Sequence, residues 1–191
     1  MFKIFEYPKP FTPELTDDAP IICANYSPIR MEFYIAGEMI WVWNAWIGKP
    51  VRELKNCMES DITCVAFDKD HWKLILGDHN GNIKVFDILS GICIGTMKQE
   101  FAHTSEVSFI AYAGNDLNIV SCSWDKKIKV FWDGINLEFL RERAEAHSAD
   151  IITGDYSHNL WLIVTCGWDN KVWVWDYERV KMEFEILIHG D

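Results

Sequence analysis

Short apolar runs alternate with clusters of Asp, Asn, Ser and Gly along most of the chain. From residue 147 onward the runs are Ile151 to Tyr156, Leu160 to Cys166, Lys171 to Trp175 and Met182 to Leu187. Ser157-His158-Asn159, Gly167-Trp168-Asp169-Asn170 and Asp176-Tyr177-Glu178 separate them. Runs of this length with turn residues between them predict consecutive antiparallel hairpins, and hence a four-stranded meander. Asp78-His79-Asn80-Gly81 reads as a tight turn in which Asn-Gly takes the positive backbone dihedrals that such hairpins use.

The pattern recurs. Val120 to Phe131 lays over Val164 to Trp175 at a shift of 44, which also carries His103 to His147 and Glu106 to Asp150. A shift of 45 carries Asp61 to Glu106 and Phe86 to Phe131. A divergent copy begins at Pro20, with Ile40-Trp41-Val42-Trp43-Asn44 over Ile83 to Asp87 and two residues missing before the third run. The chain divides into a strand and linker over 1–19, units at 20–57, 58–102, 103–146 and 147–188, and the opening of a further repeat at 189–191. Phe2 to Tyr7 alternates as an outer strand of a preceding unit would. One four-stranded sheet cannot bury both faces alone, and a period near 44 is that of sheets stacked around an axis. The expected fold is all-β: a β-propeller of about four four-stranded antiparallel blades, partial and open. Either the sequence is a fragment of a longer propeller, or its uncovered sides invite completion by another propeller chain.

Composition supports the β reading, because ten Trp supply ring surface suited to half-buried strands. A net charge of −11 with singly scattered Lys and Arg excludes a general nucleic-acid role. No apolar stretch approaches a membrane span, and the first residues are too short and too charged for a signal peptide, so a cytoplasmic location is expected. Of six cysteines, Cys23 and Cys64 occupy matching places, as do Cys122 and Cys166, each inside an apolar run. That placement suits small reduced hydrophobes better than disulfides, and with no Cys-x-x-Cys or clustered His/Cys pair neither a metal nor a cofactor is expected.

His103, Ser121 and Asp125 have the residue types of a nucleophile, base and orienter, as do His147, Thr165 and Asp169. In both units the spacing from His to Asp is 22 and from Ser or Thr to Asp is four. An active site has little reason to recur once per repeat, whereas a hydrogen-bonded brace between the loop before the first strand and the turn after the second does. No enzymatic activity is expected, and a propeller-based enzyme is the least favoured reading.

The segments Trp168 to Asp176 and Ala146-His147 resemble the WD-repeat family of G-protein β-like propellers, whose units open on a Gly-His-like pair and end the third strand in Trp-Asp. The resemblance implies a structural tetrad of His, Ser/Thr, Asp and Trp. The fourth unit matches with His147, Thr165, Asp169 and Trp175; the third has His103, Ser121 and Asp125 but Phe131 in place of Trp. The second has Met58, Leu76, Asn80 and Phe86 there, and the first has no His or Asp, so rigidity is expected to fall toward the N-terminus. Asp169→Ala is accordingly expected to destabilise more than Asp78→Ala.

The resemblance also implies a partner-binding rim on the top face. It maps to Asp61, Thr63 and His79, to Glu106, Ser108 and Trp124, and to Asp150, Ile152 and Trp168. Acid beside indole suits a basic segment of a partner protein. The alternative for Trp124 and Trp168 is packing flat on the neighbouring blade. Trp72, Trp132 and Trp161 are expected to cover sheet surface, and Trp41 and Trp173 to lie between blades. The function implied is a non-catalytic protein-interaction scaffold. The turns at Ser123 to Val130 and Gly167 to Val172 are also similar to the Gly-Trp-Asp turns of large WD-repeat proteins of cilia and axonemes. That likeness implies, as an alternative, a structural component of a cilium or other cytoskeletal assembly.

Overall fold

A computed structural model of the chain describes residues 20–113, 117–134 and 136–186. The expected strand at Phe2 to Tyr7 and the repeat opening at 189–191 lie outside the described residues.

The described residues form four four-stranded sheets, each an antiparallel meander in chain order. The first contains β1 (Cys23–Ser27), β2 (Glu32–Ala36), β3 (Ile40–Asn44) and β4 (Lys49–Leu54). The second contains β5 (Ile62–Phe67), β6 (Lys73–Asp78), β7 (Ile83–Asp87) and β8 (Cys93–Thr96). The third contains β9 (Val107–Ala113), β10 (Asn118–Ser123), β11 (Ile128–Asp133) and β12 (Leu137–Arg143). The fourth contains β13 (Ile151–Ser157), β14 (Leu162–Gly167), β15 (Val172–Asp176) and β16 (Lys181–Ile186). This is a β-propeller arrangement of four blades.

The first strands make the stack. β1 packs on β5, β5 on β9 and β9 on β13, so the first strands line the axis and the fourth strands lie outermost. Three apolar clusters fill the three junctions. Tyr34, Ile40 and Val42 meet Leu74, Leu76 and Phe86; Ile75, Ile83 and Val85 meet Ile119 and Phe131; Val120, Ile128 and Val130 meet Ile163, Trp175 and Tyr177. A sheet covered on both faces has no polar side to show. Every residue of β10 is buried, whereas in β14, with one face covered, burial alternates residue by residue.

Each sheet carries a register shift at one place between its third and fourth strands, at Val42/Trp43, Val85/Phe86, Val130/Phe131 and Val174/Trp175. An extra residue there bends and twists the outer strand, which lets a narrow centre widen toward the rim. The turn between second and third strands also recurs, with φ of 88° at Gly81, 68° at Lys126 and 58° at Asn170. Of Asn80 and Gly81, only Gly81 takes a positive φ, so the turn differs from the expected two-residue form. Gly81 N–H donates to the Asp78 carbonyl at 3.2 Å, which makes a longer loop closed by one left-handed residue. A side chain at Gly81 would run into the His103 backbone carbonyl of the next unit, so only glycine fits.

Candidate functional site: clamps and rim

The loop entering β13 and the turn after β14 are joined by a directional chain of hydrogen bonds. Trp175 Nε1–H donates to Thr165 Oγ1 at 2.8 Å, and Thr165 Oγ1 lies 2.7 Å from His147 Nε2. His147 Nδ1 lies 2.9 Å from Asp169 Oδ1. The carboxylate also accepts the backbone N–H groups of Ser148 at 3.0 Å and Lys171 at 3.2 Å. Every partner is used once if Thr165 donates to Nε2 and Nδ1–H donates to Asp169.

In the third sheet His103 Nδ1 stands 2.9 Å from Asp125 and Nε2 stands 2.8 Å from Ser121 Oγ. Thr104 N–H and Lys127 N–H donate to Asp125 at 3.1 and 3.0 Å. Phe131 offers no donor, so the chain ends at Ser121. Burial holds the His103 imidazole below its ordinary pKa against the pull of Asp125. Burial pushes Asp125 upward, but the His103 hydrogen bond and the two backbone N–H donors bring it net below the usual carboxylate value; Asp169 shifts the same way. Ser121 and Thr165 have no exposed surface. In each sheet the bonds tie the loop before the first strand to the turn after the second.

The second sheet solves the same turn differently. Asn80 is exposed, and Asp78, two residues earlier, is fully buried. Asp78 Oδ1 accepts the backbone N–H of Asn82 at 2.8 Å, and its Oδ2 accepts Asn82 Nδ2 at 3.0 Å. Asn82 matches Lys127 and Lys171, so Asp78 takes over the turn-closing duty of Asp125 and Asp169. Asp78 therefore has a structural duty of its own in the second sheet.

The rim residues divide. Backbone bonds set acid beside aromatic in three successive sheets: His79 N–H to Asp61 O at 3.0 Å, Trp124 N–H to Glu106 O at 3.0 Å and Trp168 N–H to Asp150 O at 2.9 Å. Trp168 is 68% exposed and Trp124 37%. Trp124 meets the ring edge of His79 from the preceding sheet at 6.4 Å, and His79 Nδ1 lies 2.8 Å from Glu106 Oε2. Trp168 has no ring partner among the described residues. Thr63 and Ser108, by contrast, face the next sheet: their hydroxyls donate to the carbonyls of Val107 and Ile151, each at 2.6 Å. They are blade-to-blade fastenings, and Ile152, at the same place in the fourth sheet, is an exposed hydrophobe.

A second set of fastenings was not foreseen from sequence. The first residue of the second strand reaches the end of the third strand of the next sheet: Lys73 Nζ meets Asp133, the last residue of β11, at 2.7 Å, and Asn118 Nδ2 donates to the OH of Tyr177, just after β15, at 2.6 Å. Tyr112 OH also donates to Asp133 at 2.9 Å. From the fourth strand, Arg52 donates to the Ile88 carbonyl at 3.2 Å and Arg141 to the Tyr177 carbonyl at 3.4 Å, two repeats apart. Arg52 is itself held by Glu32, which accepts Tyr34 OH at 2.6 Å. The only sequence signal for this set was the recurrence of Arg at one place in units one and three.

Trp72 and Trp132, expected to cover sheet surface, are exposed instead, Trp72 at 56%. Trp72 sits at a hairpin tip where its backbone carbonyl, accepting Ile88 N–H at 2.9 Å, is the anchored part. Trp161 and Trp173 are half-buried against the cluster between the third and fourth sheets, and Trp41 is half-buried in the first sheet. All six cysteines are free thiols; Cys64 and Cys122 are buried and strongly raised in pKa by that burial, while Cys23 and Cys166, on the end sheets, are half-exposed. No group of three or more His, Cys, Asp or Glu among the described residues could hold a metal ion. No helix among them is long and apolar enough to cross a membrane.

Stacked four-stranded meanders with a recurring His–Ser/Thr–Asp clamp have the arrangement of propeller blades. Two stretches of the chain, residues 91–133 and 144–176, match the family model described as WD domain, G-beta repeat. The first matched stretch begins beside β8 and ends with β11, so the sequence repeat is out of phase with the sheet by one strand and ties two blades together. Among curated proteins, the chain is similar to Cilia- and flagella-associated protein 337 B of Tetrahymena thermophila, 28% identical over 132 residues. That match covers 69% of this chain and 10% of the relative, so the chain spans about a tenth of that protein's length.

Proposed function

We propose that the chain is a non-catalytic protein-interaction scaffold whose rim takes basic segments of partner proteins. The observation that carries this reading is the pairing of Asp61 with His79, Glu106 with Trp124 and Asp150 with Trp168, one pair per blade, by backbone bonds of 2.9 to 3.0 Å. A Lys or Arg side chain laid on an indole face beside a carboxylate gains from ring-face attraction and from charge pairing together. The net charge of −11 favours the approach of such a segment and disfavours nucleic acid.

The test is binding of Lys/Arg-rich peptides followed by fluorescence anisotropy. Trp168→Ala, at a ring with no ring partner among the described residues, is expected to weaken binding about fivefold, the worth of one exposed cation–π contact. Affinity unchanged in both Trp168→Ala and Asp150→Asn would defeat the rim reading.

A second reading rests on the name of the ciliary relative. In it the chain works in the cytoplasm as a structural part of a cilium or other cytoskeletal assembly, its open sheet faces completed by another chain. Tubulin or axonemal proteins recovered with the chain from native extract would favour it.

A further inference from the structure

The junction between the second and third sheets carries a small assembly on its rim that the next junction repeats with one part changed. His79 Nδ1–H donates to Glu106 across the junction at 2.8 Å, and the imidazole lies edge-on to Trp124, with ring centres 6.4 Å apart and planes at 80°. A nitrogen donor from one sheet thus meets the carboxylate and the indole of the next. Close by in the chain, the Thr63 hydroxyl fastens these two sheets through the Val107 carbonyl at 2.6 Å, and Ser108 fastens the third sheet to the fourth through the Ile151 carbonyl at 2.6 Å. The two junctions therefore hold their first strands at the same offset, and their rim positions correspond one to one.

Between the third and fourth sheets Asp150 stands for Glu106, Trp168 stands for Trp124, and Trp124 takes the place of His79. Acid and indole are kept, and the imidazole is exchanged for a second indole. The Asp150 carboxylate has no hydrogen bond or ion pair, and the Trp168 ring no ring contact, among the described residues. At the preceding junction the Glu106 side chain is only 18% exposed and is already answered by His79, so a basic side chain arriving there must displace an internal donor. At Asp150 it meets no such competitor.

We propose that the rim between the third and fourth sheets receives one arginine side chain of a partner protein, its guanidinium standing to Asp150 and Trp168 as the His79 imidazole stands to Glu106 and Trp124. This rests on the reading of the rim as a site for basic segments, and names the junction and the residue that enters it. The chain's own histidine shows the chemistry that fits: a flat group that donates N–H bonds in its plane to a carboxylate beside an indole. A guanidinium has that shape, donates in a fork and lies readily on an aromatic face, and here each of the two sheets supplies an indole. The lysine ammonium is a strongly hydrated point charge with no flat face, so it gains less from the second ring.

The experiment is fluorescence anisotropy of two labelled peptides, identical except that every Arg of one is Lys in the other, titrated with the purified chain. The Arg peptide is expected to bind about threefold more tightly. Trp124→Ala and Trp168→Ala each remove that preference, and Asp150→Asn weakens both peptides. Glu106→Gln, at the carboxylate that His79 already holds, changes either affinity by no more than about twofold. The thermal midpoint of each variant, expected to match the parent's at these rim positions, separates lost binding from lost folding. Equal affinity of the parent for the two peptides, with Asp150→Asn still weakening both, would overturn the arginine site and leave the rim reading standing. Equal losses in Glu106→Gln and Asp150→Asn would spread binding over the rim and overturn the chosen junction alone. Affinities that neither Asp150→Asn nor Trp168→Ala changes would overturn both.

Discussion

Trp175 donates its indole N–H to Thr165 at 2.8 Å, whereas Trp43, at the matching place in the first sheet, is half-buried and its indole nitrogen, itself buried, is unpaired among the described residues. The reason is one residue: Ile35 stands where Thr165 does. Identical rings on identical backbone therefore play unlike parts, one closing a clamp and the other filling apolar space. The clamp is complete in the fourth sheet, lacks its indole in the third, is rebuilt on Asp78 in the second and is absent from the first. The first sheet has its own polar anchor in Glu32, Tyr34, Arg30 and Arg52.

The clamp members should rank by what each removal leaves behind. Trp175→Phe reproduces the third sheet's arrangement and removes one hydrogen bond, for an expected loss of about 1 kcal/mol. Asp169→Ala strands the His147 Nδ1–H and the backbone N–H groups of Ser148 and Lys171, for an expected loss of about 3 kcal/mol. Urea unfolding of the two variants checks the order; equal midpoints would contradict the directional chain.

In the second sheet the sensitive residue is Asp78. Asp78→Ala removes a fully buried carboxylate and leaves the Asn82 backbone N–H without its acceptor, with an expected loss of about 2 kcal/mol. Asn80, exposed at the turn tip, should tolerate Ala within about 0.5 kcal/mol. Thermal unfolding of the pair distinguishes this from the position-by-position family pattern, which puts the clamp at Asn80.

Much of the architecture was legible because it repeats. The His–Asp spacing of 22 recurs in two units and became two clamps of nearly equal geometry. Alternation of apolar and polar residues located the strands even where, as in β10, both faces are buried, since its neighbours in the repeat supplied the register. What could not be read was any duty that moves between positions. Asp78 does the work of a residue two places later, and no pattern tied to fixed columns registers that. The fastenings Lys73–Asp133 and Asn118–Tyr177 use different chemistry at one geometric place, so they leave no shared letter in the sequence. Thr63 and Ser108 were placed on the rim because their column faces the top. Their hydroxyls are instead within reach of the next sheet's carbonyls, which only the stacking angle decides.

Acidification should act through the third sheet's clamp before it reaches the carboxylates. Burial sets the folded pKa of His103 below the unfolded value of 6.5, so between those two values the unfolded chain binds a proton that the folded chain does not. Stability from this group is then fully present above pH 6.5 and falls as pH drops toward the folded pKa, by at most about 1.4 kcal/mol per pH unit. His71, also lowered by burial, adds loss of the same sign. Asp125 and Asp169, whose folded pKa values lie below the ordinary 3.8, hold their contribution above that pH and lose it only on further acidification. The expected profile is thus two descents, one below pH 6.5 and one below 3.8. Urea midpoints measured across this range for the parent and for His103→Asn provide the check. The variant should start lower and show a shallower first descent, and a first descent of unchanged slope would mean that His103 is charged in the folded chain.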